Sequence, residues 1–279
     1  MDLITRQKDS LIWLTSPLLD NCGGVRHGFS TRQGGVSAPP LDSLNLGISR
    51  GDDPAAVREN YARFCAAIGA DDRRAVLSQQ THTANIRRIT AEDAGKGLTV
   101  PRDYTDVDAL ITNEANLPLT VFSADCGIIL LYDPEHHAVG AVHAGWRGCA
   151  AGILQKTVKA MSAAFGSDPA AMLAAIGPCI GQCCFETDAD VPDAMRTALG
   201  NTADQYVQRK GVKFHVDLAG LNRQWLLNAG VLPAHIDVSS LCTACRRDLF
   251  WSHRKMGGAR GAQVAMISLC PSSAAEGIQ

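Results

Sequence analysis

Between Ala109 and His143 the chain is a succession of short apolar runs broken by Asn, Asp, Pro and Gly, and this stretch limits the fold more than any other. The runs 109–112, 118–122, 128–132 and 138–143 have strand length and are too short for packed helices. Asp133-Pro134-Glu135-His136 supplies turn chemistry between the last two, which predicts a hairpin. Such a hairpin brings Cys126 and His143 to the open end of neighbouring strands.

Helical spacing dominates the flanks. Asp53-Pro54 offers an N-cap and a proline in the first turn, and Val57, Tyr61, Phe64 and Ile68 make one apolar stripe, predicting a helix over 54–67. Ile153, Leu154, Val158 and Met161, followed by Gly166, predict a second helix over 149–165. Asp217 caps a third over 218–228, closed by Gly230, and 263–269 reads as a last strand before a polar tail, 271–279, expected to fray. Helices and strands mix without a regular βαβ alternation and without an internal repeat, so the expected class is α+β, in a single domain over 1–279.

Composition narrows the function. With 279 residues, 46% hydrophobic, the chain can bury a sizeable core, and a net charge of −2 lacks the basic field that holds a nucleic-acid backbone. Asp2, Arg6, Lys8 and Asp9 interrupt the N-terminal stretch, which argues against a signal peptide, and no run approaches the ~20 apolar residues of a membrane span. Ten cysteines without a secretory signal fit reduced thiols in a cytoplasm better than a disulfide framework. The expected partners are therefore small molecules, with no nucleic acid and no membrane, and a monomer is expected.

The chemistry concentrates in His82 of Gln-Gln-Thr-His-Thr, Cys126 of Ser-Ala-Asp-Cys-Gly and His143 of His-Ala-Gly-Trp-Arg-Gly. Two imidazoles and a thiol, if they converge, hold a metal with a fourth position open, which a catalytic zinc requires. The same groups could hold Cu2+, or leave Cys126 as a nucleophile with His143 as its base. Each also has an ordinary account, His82 as a surface or core histidine and Cys126 as inert packing. Gln79, Gln80 and Thr81 could hydrogen-bond a ligating imidazole.

Gly145-Trp146-Arg147-Gly148 leads into a helix whose first N–H groups are free, and Arg147 adds a cation there, a candidate phosphate seat beside His143. The loop Thr31-Arg32-Gln33-Gly34-Gly35-Val36-Ser37 offers Arg32 and backbone donors, though no Gly-Lys-Ser or Gly-Lys-Thr makes it a P-loop. Cys242-Thr-Ala-Cys245, with Cys179, Cys183 and Cys184 upstream, could build a four-thiolate zinc site, but the spacing is loose and core or near-surface thiols account for it better. Arg254 could reach an anionic substrate, against the alternative of an exposed basic turn.

Thr31-Arg-Gln-Gly-Gly-Val-Ser, Ser43-Leu-Asn-Leu-Gly, Gln80-Thr-His, Ala124-Asp-Cys, His143-Ala-Gly-Trp-Arg-Gly, Ile176-Gly-Pro and Cys242-Thr-Ala-Cys follow one another as in the laccase-domain, or polyphenol oxidase, family. The chain resembles that family from about His27 to Leu269. Its bacterial members are relatives of the human laccase-domain protein and are usually described as purine nucleoside phosphorylases. The resemblance implies a four-layer α/β/β/α sandwich with mixed sheets and a zinc held by His82, Cys126 and His143. Arg32, Asn45, Arg147 and Arg254 are the candidate residues around substrate and phosphate. One departure is Arg254-Lys255 where relatives commonly carry an arginine pair, and Trp251 stands where phenylalanine is usual; lysine keeps the charge without the bidentate fork.

The expected reaction is phosphorolysis of adenosine or inosine to free base and ribose 1-phosphate. The resemblance adds adenosine deamination and cleavage of 5'-methylthioadenosine. Deamination is where zinc makes direct chemical sense, by activating water toward the purine C6. Zinc deaminases also use a carboxylate for proton transfer, and Asp125 is nearest in sequence, though strand alternation points it away from Cys126. The first alternative is a copper polyphenol oxidase, which the lack of any His-x-His pair disfavours; His136-His137 is the only close pair. The second is a cysteine hydrolase editing peptidoglycan precursors, and a non-catalytic binding module is the last.

Overall fold

Two six-stranded sheets lie face to face, and the reason is written in their strands. Ile128, Leu130 and Tyr132 point to one side of their strand and pack with Val121, Ala265 and Ile267 of the other sheet, while Ile129 and Leu131 point outward and pack on helices. Along Gln263–Leu269 the same alternation sends Ala265 and Ile267 inward and Val264 and Met266 outward. The central strands of both sheets are thus covered on both faces, so they read as unbroken apolar runs rather than as alternating ones. This computed structural model describes residues 1–271, and the predicted frayed tail lies, from 272 onward, outside the described residues.

The first sheet runs Ile4–Lys8, Leu11–Thr15, Val25–Ser30, Gln263–Leu269, Leu119–Ser123, Val76–Leu77. The second runs Ile236–Val238, Leu173–Ile176, Gly127–Asp133, Ala138–Ala144, Ala109–Thr112, Ile86–Arg88. Each mixes parallel and antiparallel pairs. A small third sheet joins Glu186–Thr187, Lys213–Val216 and Val207–Lys210.

Helix Pro54–Ile68 covers the outer face of the first sheet through Val57, Tyr61 and Phe64. Helices Ile153–Phe165 and Leu218–Asn228 cover the outer face of the second through Leu154, Val158, Met161, Leu221 and Trp225. The result is the expected α/β/β/α stack of mixed sheets. Among the described residues no helix is long and apolar enough to cross a membrane.

The predicted caps form. Asp53 accepts from the Ala55 N–H at 2.9 Å, and Asp217 accepts from that of Gly220 at 2.9 Å. The hairpin forms as well, from Gly127–Asp133 and Ala138–Ala144, with Asp133 accepting from the amides of Glu135 and His136 in its turn. One expectation is corrected: the helix predicted over 149–165 is two, Trp146–Ala150 and Ile153–Phe165. Gly152 breaks it with φ +69°, and a side chain there would sit 3.3 Å from the Trp225 ring.

Candidate metal centre

Register brings the site together. Ile128 pairs with His143 across the hairpin, so Cys126, just before Gly127, lies at the same sheet end as His143. His82 arrives from the other side, on a segment that follows Val76–Leu77, with φ +66°. The ligand atoms of the three residues lie within 4.8 Å of one another, with Cys126 Sγ and His82 Nε2 3.9 Å apart. The two imidazoles stand edge to face, their centroids 5.0 Å apart. His143 is buried, Cys126 half-buried and His82 exposed, so the group opens to solvent on one side.

Asp108 organises the trio, and sequence reasoning missed it. Its Oδ1 bonds His143 Nδ1 at 2.7 Å, and its backbone carbonyl accepts from the His143 N–H at 2.8 Å. The amides of Thr81, His82 and Thr83 all donate to the same carboxylate, as does the Thr83 hydroxyl. One buried carboxylate therefore orients His143 and fixes the backbone that carries His82. Burial alone would raise the Asp108 pKa, but His143 and the Thr81 and Thr83 amides hold it down to about 2. The available signal was Asp108 immediately before the predicted strand 109–112; what sequence could not supply was the antiparallel pairing that sets it beside His143.

Burial likewise works against a charged Cys126, yet His143 and His82 bring its thiol down to about 6. His143 moves oppositely, to about 9, because the Cys126 thiolate and Asp108 outweigh burial. Gly145 makes room for the contact: a Cβ there would meet Cys126 Sγ at 2.8 Å and His82 Cδ2 at 3.2 Å.

The donor set fits a divalent ion. Two neutral imidazoles and a readily formed thiolate are borderline-soft ligands, and their spacing suits bonds of about 2.0–2.3 Å. The Asp108 bond occupies His143 Nδ1 and leaves Nε2 as the ligating atom. Three ligands leave a position for water or substrate.

Two clefts lie nearby, one walled by Cys126 and one by Thr81, the neighbour of His82. Ala124, Asp125, Cys126, Trp146, Ile180, Phe185, Leu218, His253 and Arg254 line one, bringing two aromatic faces and a guanidinium to Cys126. Arg50, Gln80, Thr81, Arg102 and Phe122 are among the residues of the other. Asp125 accepts from Thr243 Oγ1 at 2.6 Å, Ser252 Oγ at 3.0 Å and the Arg254 N–H at 2.6 Å. Its carboxylate ties its own loop to those of Thr243 and of Ser252 and Arg254.

The other expected substrate residues divide. Arg254 lines the first cleft, where its Nη1 donates to the Cys184 carbonyl at 3.0 Å. Arg147 is exposed and stacks on Trp146, 4.2 Å from the ring centroid. Arg32 stands apart from the trio's clefts, donating to the carbonyls of Asp42 and Arg247 and lying 4.1 Å over the Trp251 ring. Asn45 is fully buried: its Oδ1 accepts from the amides of Gly47 and Ala262, and its Nδ2 donates to Asp52. It therefore shapes the second cleft, which Gly47 and Ala262 wall. Arg260, unforeseen from sequence, is buried near Asp125 and Cys126, and burial lowers its pKa to about 10.

The cysteines expected as separate thiols do not all stay separate. Cys183, Cys184, Cys242 and Cys245 draw their sulfurs within 4.8 Å of one another, while Cys179 remains in the core.

The family model described as multi-copper polyphenol oxidoreductase laccase matches residues 26–270. "Purine nucleoside phosphorylase YlmD" of Bacillus subtilis is 36% identical over 247 residues, covering 87% of each chain. "Purine nucleoside phosphorylase LACC1" of Mus musculus is 31% identical over 94% of this chain and 59% of its own. The crystal structure of YlmD from Geobacillus stearothermophilus superposes with a TM-score of 0.88 at 35% identity, covering 96% of this chain and 99% of that one.

Proposed function

Because the chain belongs to the multi-copper polyphenol oxidoreductase laccase family, whose matched relatives carry the name purine nucleoside phosphorylase, we propose that it is a zinc-containing purine nucleoside phosphorylase. The observation that carries this reading is the His82, Cys126, His143 group locked by Asp108, with Arg254 in the cleft that Cys126 walls. When bound, zinc would supply Lewis acidity and a means of activating water.

The residues divide the remaining work. Trp146 and Phe185 offer flat apolar faces on which a purine can stack. Arg254 in the cleft and Arg147 at its edge place positive charge for phosphate, whose oxygen attacks the ribose C1' as the bond to the base nitrogen breaks. Asn45 serves by holding Gly47 and Ala262 in the wall of the second cleft, and Arg32 by tying together the Asp42 and Arg247 loops away from it. Adenosine deamination and 5'-methylthioadenosine cleavage in the same site are part of the proposal, as is a cytoplasmic setting suited to ten reduced thiols.

A copper oxidase of the multicopper kind needs a second cluster of histidines. Among the described residues the only other group of three or more converging metal ligands is all cysteine. A cysteine hydrolase has one arrangement in its favour: Cys126 and His143 converge, and each favours the charged form of the other when no metal is bound. Incubating the zinc-loaded protein with adenosine, with and without phosphate, separates the readings. Adenine appearing only with phosphate supports phosphorolysis, and inosine without phosphate supports deamination. Adenosine left intact under both conditions sinks the proposal.

A further inference from the structure

Two tight turns meet at the lip of the first cleft. Residues 181–184 form one, closed by the Cys184 N–H donating to the Gly181 carbonyl at 2.9 Å. Residues 242–246 form the other, closed by the Arg246 N–H on the Cys242 carbonyl at 3.0 Å. Each turn presents two sulfurs to the other. Cys183 and Cys184 Sγ are 3.8 Å apart, Cys183 and Cys245 3.6 Å, and Cys184 and Cys245 3.4 Å, with Cys242 Sγ completing a group that spans at most 4.8 Å.

We propose that Cys183, Cys184, Cys242 and Cys245 bind a second, thiophilic divalent cation, zinc in the cell, in a closed four-sulfur site. A tetrahedron of sulfurs about 2.3 Å from a zinc ion has edges of about 3.8 Å, close to the separations of these side chains before any ion is placed. The backbone is arranged for thiolate as well. The Gly181 N–H points at Cys242 Sγ from 3.2 Å, the donor pattern by which paired metal knuckles stabilise a ligating sulfur. Cys242 is buried, Cys184 half-buried, and Cys183 and Cys245 exposed, so an ion can enter from solvent and be closed off by the fourth ligand. All four are free thiols, and binding exchanges four S–H bonds for four metal–sulfur bonds, releasing the protons to water.

With all four positions filled by protein, this ion performs no chemistry on substrate; it fastens the cleft. The 181–184 turn is followed by Phe185, a cleft wall, and the Cys184 carbonyl holds Arg254. Within the 242–245 turn, Thr243 donates to Asp125, the neighbour of Cys126. The second site is independent of the reaction proposed for the first.

The full chain, purified under reducing anaerobic conditions from zinc-supplemented cells and dialysed, is expected to carry two zinc ions, and Cys126→Ala one. Reconstituting Cys126→Ala with cobalt(II) should give the intense thiolate charge-transfer and red-shifted ligand-field bands of a four-sulfur tetrahedral site. Adding Cys245→Ser to Cys126→Ala should lose those bands and the remaining equivalent of metal. If that double variant fails to fold, the Cys126→Ala cobalt spectrum decides alone. Cys126→Ala with no bound metal, a cobalt spectrum lacking sulfur character, or a disulfide between the two turns in the freshly purified protein would each overturn the assignment.

Discussion

Asp108→Asn leaves the volume of the side chain unchanged and removes the charge that pairs with His143 and collects the 81–83 amides. Zinc affinity at the first site should fall by about 10- to 100-fold, as for other hydrogen-bonded partners of ligating histidines, in a competition titration against a chelating dye. Unchanged affinity would show that the carboxylate does not orient the ligand. A second buried imidazole behaves differently. His27 Nε2 accepts from the Ser16 N–H at 2.8 Å, so although Asp20 stands 3.9 Å away, burial wins and holds its pKa near 4, below the ordinary 6.5. The folded state then binds fewer protons than the unfolded one between those values. Stability from His27 is complete above pH 6.5 and is lost as pH falls through about 4, a loss of up to about 3 kcal/mol. An NMR titration should find the His27 ring neutral at pH 5; a midpoint near 6.5 refutes this. At this scale the converging trio was legible and its organiser was not. His82, Cys126 and His143 sit in distinctive local motifs, whereas the role of Asp108 exists only once two strands pair.

Gly152 shows what helical periodicity conceals. The stripe Ile153, Leu154, Val158, Met161 is real, but it begins after a left-handed residue that lets Trp146–Ala150 turn back toward the site. Gly152→Ala should cost at least about 1 kcal/mol in urea unfolding, from the positive φ alone, with crowding against Trp225 added. A neutral result would mean that the break is not fixed by backbone conformation. The strands of the central hairpin and the helices at 54–68 and 218–228 could be read from local pattern and caps, because their stripes and turn residues are contiguous. The edge strands Ile86–Arg88 and Ile236–Val238 could not, since they are short and defined by partners far away in sequence. The two cysteine turns belong with these: Cys-x3-Cys or Cys-Cys followed by Cys-x2-Cys is uninformative until residues about sixty apart are seen to face each other.

Over the whole molecule, two sheets whose central strands are buried on both faces make the frame, and the candidate site lies at one sheet end where loops from 81–83, 125–126, 145–147 and 252–254 converge. Function was legible to the level of a metal trio and a family resemblance. The assignment of individual arginines was not, because Arg32, Arg147, Arg254 and Arg260 look alike in sequence and differ only in what the folded chain places against them. The central claim is that the trio is the active centre of a nucleoside phosphorylase. It is tested most directly by following hypoxanthine and ribose 1-phosphate from inosine with wild-type protein and Cys126→Ala, with zinc content measured in parallel. Wild type should release both products in equal amounts and only when phosphate is present, and Cys126→Ala should fall to background while losing the zinc of that site. Phosphorolysis that survives Cys126→Ala, or a zinc-loaded wild type that leaves inosine and phosphate untouched, contradicts it.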